Sequence, residues 1–329
     1  MTVVLKPEGD WLTKVEEFFN QDEPVALPTE TVYGLAAPIS RPKAIAKIFE
    51  LKNRPTFNPL IVHLKKDWDI FNWVEKLTDV ERRLIEKFWP GPLSLVLPKK
   101  NIPDICTASS NLVVLRAPKN KIFQQVLDGY GVPLAAPSAN TSTRLSPTTA
   151  IRVEEDLGER GLRAIVDGGR STEGLESTIV QVVNEKLRIL REGALSDEEI
   201  VLAGFEIDQN FQKSMMASNS GDVMPGQGKH YAPLVPLVIM DDPQKWVSYH
   251  SNKKLLFLKI LESDAPGLRP FNQKAQFVVL SQNDLKEAAF ELFETLRMAE
   301  TEVEQIVVLK TKEIGLGRAI NDRLRRANG

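Results

Sequence analysis

The sequence predicts an α/β protein with two units: a larger one on a twisted mixed sheet and a smaller one on a parallel sheet. Three observations lead there. The chain has 329 residues, enough for two domains of ordinary size. Up to about residue 205, strand-like and helix-like stretches mix without strict alternation. From Leu234 onward, apolar runs alternate regularly with helical stretches.

The elements follow in order. WLTKVEEFFNQD, residues 11–22, has the spacing of a short amphipathic helix. PVALPT reads as a buried strand bounded by prolines. In RPKAIAKIFELKN, residues Ile45, Ile48, Phe49 and Lys52 recur at helical spacing. NPLIVHL is the next strand, and DVERRLIEKFW is a helix stopped by Pro90-Gly91-Pro92. LSLVLPK, LVVLRAP, PLAAPSAN, AIVDGG, STIVQVV and KLRILREG read as strands or strand ends. The stretch DQNFQKSMMASNSGDVMPGQGKHYAP is polar and irregular, and reads as a linker. Beyond it, VPLVIM, KLLFLKI, QFVVLS and QIVVLK are strands; DPQKWVSYHS, NDLKEAAFELFETLRMAETE and GRAINDRLRRA are helices. That alternation suggests a small Rossmann-like sheet. The expected organisation is a domain at 1–206, a linker at 207–233 and a second domain at 234–329.

Composition narrows the function. Apolar residues make up 42% and charged residues 26%, as in an ordinary globular enzyme. The net charge of -2 weighs against a broadly basic nucleic-acid-binding surface. Cys106 is the only cysteine, so neither an intrachain disulfide nor a cysteine zinc site can form. It reads as a structural cysteine. His63, His230 and His250 lie far apart in sequence, against a His-rich metal site. MTVVLKPEGDWL lacks the basic and long apolar segments of a secretory signal, and runs such as LSLVL and LLFL are too short to span a membrane. A cytoplasmic location without membrane contact is expected. There is no GxxxxGKS, no GxGxxG opening a helix after the first strand, no GxSxG and no HExxH.

The run from Pro24 to Leu64 concentrates polar and basic residues inside an apolar frame. Pro55 biases Arg54 toward an extended conformation, in which Lys52 and Arg54 point the same way and converge on one anion. A solvated helix end is the competing reading. Thr29, Glu30 and Thr31 follow an apolar strand, where hydroxyls either hold a small polar ligand or close a turn. Tyr33 and Phe57 are candidate apolar walls, and His63 is either a core histidine or a ligand contact. Ser138 and Asn140 in APSAN, with Ser146 nearby, offer hydrogen-bonding groups in a small-residue loop. Arg116 and Arg191 each end an apolar strand, as ligand clamps or as exposed strand ends.

PTETVYGL, KNRPTFNPLIVHL, WPGPLSLVL, VVLRAP, APSAN, LSPT, DGG, ESTIV and LREG occur in this order. Together they resemble the YrdC family of threonylcarbamoyl-AMP synthases. HYAP and GLGRAINDRLRRA resemble its longer, two-domain form. The resemblance implies a YrdC-like sheet with helices. It also implies synthesis of L-threonylcarbamoyladenylate from L-threonine, bicarbonate and ATP, with release of pyrophosphate. Mg²⁺ is expected with the ATP. The product would feed, through a separate threonylcarbamoyl-transferase complex, modification of the adenosine beside the anticodon in tRNAs that read codons starting with A.

Carried over by motif, the threonine contacts are Thr31, His63, Arg116, Ala136 and Ser177. The ATP contacts are Lys52, Arg54, Asn58, Leu112, Ser138, Asn140, Ser146 and Arg191. Tyr231 is expected to fold over the nucleotide, and Lys52 and Arg54 to carry the catalytic charge. Glu30 is a candidate general base by position only, with bicarbonate itself as the other candidate. In PGQGKHYAP, Lys229 directly precedes His230, in a linker run that is short for the two-domain form. The second unit is expected to hold the linker as a lid and to modulate turnover. An alternative reading is a module that binds double-stranded RNA or tRNA weakly, although no aromatic RNA-binding motif is present. Carbamoyl-adenylate enzymes of the hydrogenase-maturation type share the domain but carry zinc-finger cysteines, which a single cysteine cannot supply.

Overall fold

The computed structural model describes residues 1–212, 230–272 and 275–328. The strands of the larger unit are β1 (Val3–Leu5), β2 (Val25–Leu27), β3 (Gly34–Pro38), β4 (Ile61–His63), β5 (Leu93–Pro98), β6 (Leu112–Arg116), β7 (Leu134–Ala135), β8 (Ala164–Val166), β9 (Thr178–Val183) and β10 (Lys186–Arg191). They form one sheet in the order β1-β8-β2-β3-β7-β4-β6-β5-β9-β10. Pairing is parallel for β1 with β8, β2 with β8, β4 with β6 and β5 with β9, and antiparallel elsewhere. The mixed sheet expected from the irregular alternation is therefore present.

Helices α1 (Trp11–Asn20), α2 (Pro42–Lys52), α3 (Asp79–Phe88), α4 (Asp104–Thr107), α5 (Lys121–Tyr130), α6 (Ala150–Leu157) and α7 (Asp197–Leu202) accompany it. Local chemistry sets several of their ends. Thr78 and Glu81 form a reciprocal capping box at the start of α3. The Asn120 side chain accepts the N–H groups of Ile122 and Phe123 to start α5, and Gly131 ends that helix in the left-handed conformation. Strand β3, Gly-Leu-Ala-Ala-Pro, carries no strand signal of its own. It exists because β2 and β7 pair with it on either side.

The second unit is a parallel sheet of β11 (Leu237–Met240), β12 (Leu255–Leu261), β13 (Gln276–Ser281) and β14 (Gln305–Leu309), in the order β11-β14-β12-β13. Its helices are α8 (Pro243–Val247), α9 (Leu285–Glu302) and α10 (Leu316–Asn328). Most of the expected linker, residues 213–229 and Lys229 among them, lies outside the described residues. Among the described residues no helix is long and apolar enough to cross a membrane.

The two units share one buried apolar cluster. Val32, Leu145, Leu175 and Ala194 of the larger unit pack with Tyr231 and with Ala289, Phe293 and Leu296 of α9. Ion pairs rim this seam. Glu291, Glu294, Arg297 and Glu300, three residues apart along α9, meet Arg170, Arg152, Asp156 and Arg144 in turn. Gly174 lets the backbones touch: with φ of +73°, a Cβ there would sit 2.4 Å from the Ala289 oxygen and 2.5 Å from Phe290 Cα. Gly174→Val should lower the stability, read from urea unfolding as a lower midpoint, by roughly 2 kcal/mol or more from overpacking and backbone strain. An unchanged midpoint would show that this contact carries no packing weight.

Candidate active site

A cavity of about 450 Å³ lies against one face of the large sheet. Alternate residues of three strands floor it: Ile61 and His63 of β4, Val114 and Arg116 of β6, and Ile179 and Gln181 of β9. Parallel register sets His63 beside Arg116 at the strand ends.

At this end, proton directions can be assigned around the Pro-Thr-Glu-Thr turn. The Thr29 hydroxyl donates to the Val32 oxygen at 2.6 Å, so its 2.8 Å contact with Thr31 Oγ1 is donated by Thr31. Thr31 Oγ1 in turn accepts Arg116 Nη1 at 3.0 Å. Arg116 also donates Nε to the Gly91 oxygen at 3.1 Å, and its Nη2 lies 2.7 Å from Glu30 Oε1. Arg116 and Glu30 are both buried. The guanidinium is thus fixed on several sides. His63 is buried next to it, and burial together with the Arg116 charge pushes the imidazole down to about 3, so it is neutral at physiological pH. Its Nδ1 takes no hydrogen bond among the described residues.

Ser177 connects this end to the other. Its Oγ lies 2.8 Å from Ser94 Oγ and accepts Arg191 Nη2 at 3.0 Å, while its main-chain oxygen accepts both Nε and Nη2 of Arg191. Arg54 reaches the wall with Nη2 donating to the Pro59 oxygen at 2.9 Å, and burial lowers its pKa to about 10. Tyr231 closes this end. It is buried, has a φ of +61°, stacks on Phe293 at 5.8 Å between ring centroids, and has the Arg323 guanidinium 4.8 Å from its ring centroid.

Of the fourteen substrate contacts that the resemblance implies, ten line the cavity: Thr31, Arg54, His63, Leu112, Arg116, Ala136, Ser138, Ser177, Arg191 and Tyr231. Thr29, Tyr33 and Phe57 line it too. The remaining four, Lys52, Asn58, Asn140 and Ser146, are not among the lining residues. Lys52 and Arg54 do not converge from an extended segment: α2 runs through Lys52, and Asn53 turns left-handed at φ of 49°. Lys52 is buried and donates Nζ to the main-chain oxygens of Ser138 at 2.6 Å and Asn140 at 2.5 Å. Burial, with the Arg54 charge, pushes its pKa well below the ordinary lysine value. Lys52 therefore secures the APSAN loop. Asn140 donates Nδ2 to the Thr141 and Arg144 oxygens, Ser146 donates to Glu176 Oε1, and the Asn58 oxygen accepts Arg54 Nε.

Some wall residues had no warning in the sequence. Glu176 stands within ESTIV as one motif letter among five, and Arg326 lies in the basic tail of a distant helix. Cys106 is buried in α4 with its thiol pushed up to about 12 by burial, so it is not a nucleophile at neutral pH. Among the described residues no three His, Cys, Asp or Glu side chains group to hold a metal ion. Glu176, which lines the cavity, is tied to Arg323, and Glu30 reaches it only through Arg116. That donor set does not fit a protein-held Mg²⁺.

The family model described as "Telomere recombination", covering the Sua5, YciO and YrdC proteins, matches residues 17–193. The chain belongs to the Sua5/YciO/YrdC family. A model described as "Threonylcarbamoyl-AMP synthase, C-terminal domain" matches residues 184–329. A threonylcarbamoyl-AMP synthase from Pyrococcus abyssi is 33% identical, with 100% of this chain and 98% of that protein aligned. One from Bacillus subtilis is 32% identical, over 100% of this chain and 96% of the relative. The solved structure of P. abyssi Sua5 complexed with L-threonine superposes with a TM-score of 0.85 at 30% identity, over 100% of this chain and 98% of that one. YciO of E. coli, at 18% identity and a TM-score of 0.52, covers 59% of this chain and 96% of its own, and shares the fold.

Proposed function

We propose that this member of the Sua5/YciO/YrdC family is a threonylcarbamoyl-AMP synthase. It converts L-threonine, bicarbonate and ATP to L-threonylcarbamoyladenylate, pyrophosphate and water. The carrying observation is a single cavity with an anion clamp at each end, in a chain that aligns end to end with threonylcarbamoyl-AMP synthases.

Arg116, held by Glu30, Gly91 and Thr31, is set to bind the threonine carboxylate. His63, neutral and with an open ring nitrogen, and Ser177 and Ala136 shape the rest of that end. Arg54, Arg191 and Ser138 face the phosphates, and Tyr231 covers the nucleotide. Lys52, Asn140 and Ser146 act one layer back by holding the loop and Glu176 in place. Mg²⁺ enters on the triphosphate as part of the substrate, and no residue here is assigned to hold it.

Bicarbonate takes a proton from the threonine ammonium and loses water to become CO₂; the freed amine attacks that carbon to give a carbamate, and the proton it sheds leaves with the pyrophosphate. A carbamate oxygen then attacks the α-phosphorus, and pyrophosphate departs. The protein supplies position and charge neutralisation, and proximity alone is worth roughly 7–11 kcal/mol in favourable cases. Glu30 is committed to Arg116 and His63 is too weakly basic, so bicarbonate is the proton acceptor for the amine. The product is then consumed by a separate transferase complex that modifies the tRNA adenosine.

We assign residues 1–206 to the catalytic unit, 207–233 to the linker and 234–329 to the second unit. The packing of Ile200 and Phe205 in the core of the larger unit supports a first boundary near 206, and Ile207, packed there as well, moves the start of the linker just past it. The deciding assay is pyrophosphate release from ATP by the purified protein. Release is expected only with L-threonine and bicarbonate both present, and release that ignores either one refutes the assignment.

A further inference from the structure

The second unit contributes a side chain to the cavity that the first unit builds. Arg326, in the last turn of α10, lines the cavity with Arg54, Arg191 and Tyr231. Its Nε donates to Asp322 Oδ1 at 3.1 Å, and its main-chain oxygen accepts the His230 N–H at 2.9 Å. Three residues earlier on the same helix, Arg323 is fully buried and anchors α10 to the larger unit. Its Nε donates to Glu176 Oε2 at 2.7 Å and its Nη2 to the Glu192 oxygen at 2.7 Å. Residues three apart share a helix side, so the anchor also fixes where Arg326 is presented.

Among the described residues, Arg54, Arg191, Arg323 and Arg326 gather at this end with Lys52 behind them, and Glu176 and Asp322 stand among them. Guanidinium groups that converge on one cavity wall suit an anion that spans them. His230 lies in the same surroundings: burial holds its imidazole down to about 3, with Glu176 acting against Lys52, Arg54 and Arg326. Arg326 also acts on Arg191 and Tyr231, whereas the cation felt by His63 is Arg116. Arg326 thus belongs to the end away from the carboxylate clamp.

We propose that Arg326 of the C-terminal helix binds the β- and γ-phosphates of ATP, and the departing pyrophosphate, together with Arg54 and Arg191. The second unit thereby completes a phosphate site that the first leaves open. A guanidinium fork matches phosphate oxygens, and charge grows on the leaving group as the α-phosphate bond breaks. This assignment rests on the ATP-dependent reading above, and its test separates the two.

The test titrates full-length protein with inorganic pyrophosphate, and separately with L-threonine, by calorimetry. It compares the parent with Arg326→Ala, Arg326→Lys and Arg325→Ala. Arg325 is the charge control: it is half-exposed, pairs with Glu313 at 2.7 Å and does not line the cavity. Arg326→Ala should weaken pyrophosphate binding about tenfold, the scale of a charge-assisted bond, with Arg326→Lys in between. Threonine affinity should stay within about twofold in both, and Arg325→Ala should change neither ligand. In turnover, the KM for ATP should rise in Arg326→Ala while the KM for threonine holds. Pyrophosphate affinity within about twofold of the parent in Arg326→Ala overturns the proposal. So does an equal loss of threonine affinity, which would mean a displaced helix. If the parent binds pyrophosphate through Arg326 yet shows no release dependent on threonine and bicarbonate, the phosphate clamp stands and the reaction assignment falls.

Discussion

Arg116→Ala should lower kcat/KM for L-threonine by about a thousandfold, the scale of about 4 kcal/mol of lost interaction with a charged group. The carboxylate loses its charge-assisted partner, and the hydroxyl chain from Thr31 to Thr29 loses its donor. The same change strands Glu30, which is buried and whose ion-pair partner is Arg116. Breaking a buried pair by removing one member costs about 3–5 kcal/mol. The two effects can be separated. Adding Glu30→Gln to Arg116→Ala removes the stranded charge, so stability should recover while threonine binding does not. Calorimetric titration with threonine and equilibrium unfolding read the two arms. Threonine binding within about tenfold of the parent in Arg116→Ala would remove this residue from the substrate site.

Arg323→Ala should destabilise the whole chain by about 3–5 kcal/mol, for a related reason at the other end. The side chains of Arg323 and Glu176 are 1% and 6% exposed, and the pair bridges the two units. Burial alone would raise the Glu176 pKa, but Arg323 and Arg191 outweigh it and hold the carboxyl below its ordinary value. A carboxylate depressed in the folded state contributes stability above its unfolded pKa and loses it as pH falls. Without Arg323 the balance shifts toward burial, so much of that contribution disappears. The gap between variant and parent should therefore be wide at pH 7.5 and narrower near pH 4. Urea unfolding at the two pH values reads it directly. A gap that widens toward acid would mean that Glu176 does not carry the effect.

Much of the fold was legible because its signals are local. Apolar alternation marked the strands of the second unit, and Pro90-Gly91-Pro92 marked the end of α3. Strand β3 was not legible, because a segment of one leucine among small or restrained residues becomes a strand only between two neighbours. The candidate site was legible where chemistry sits at a strand end, as with His63, Arg116 and Arg191. It misled at Lys52, where proximity to Arg54 in sequence suggested a shared anion. Lys52 still belongs to α2 and gives its ammonium to two main-chain oxygens, while the left-handed turn at Asn53 redirects the chain before Arg54.

The sequence by itself determined the residue types that could bind two anions, the order of the strands that carry them and the family to which the chain belongs. Tertiary structure alone decided which of those residues face the cavity and which support it from behind. It also decided that α10, more than a hundred residues downstream of Arg191, returns to place Arg326 on the same wall. Strand and helix preference act over a few residues and are written in the local chain. A cavity wall is assembled by packing between segments distant in sequence, and no local pattern records which of them will meet.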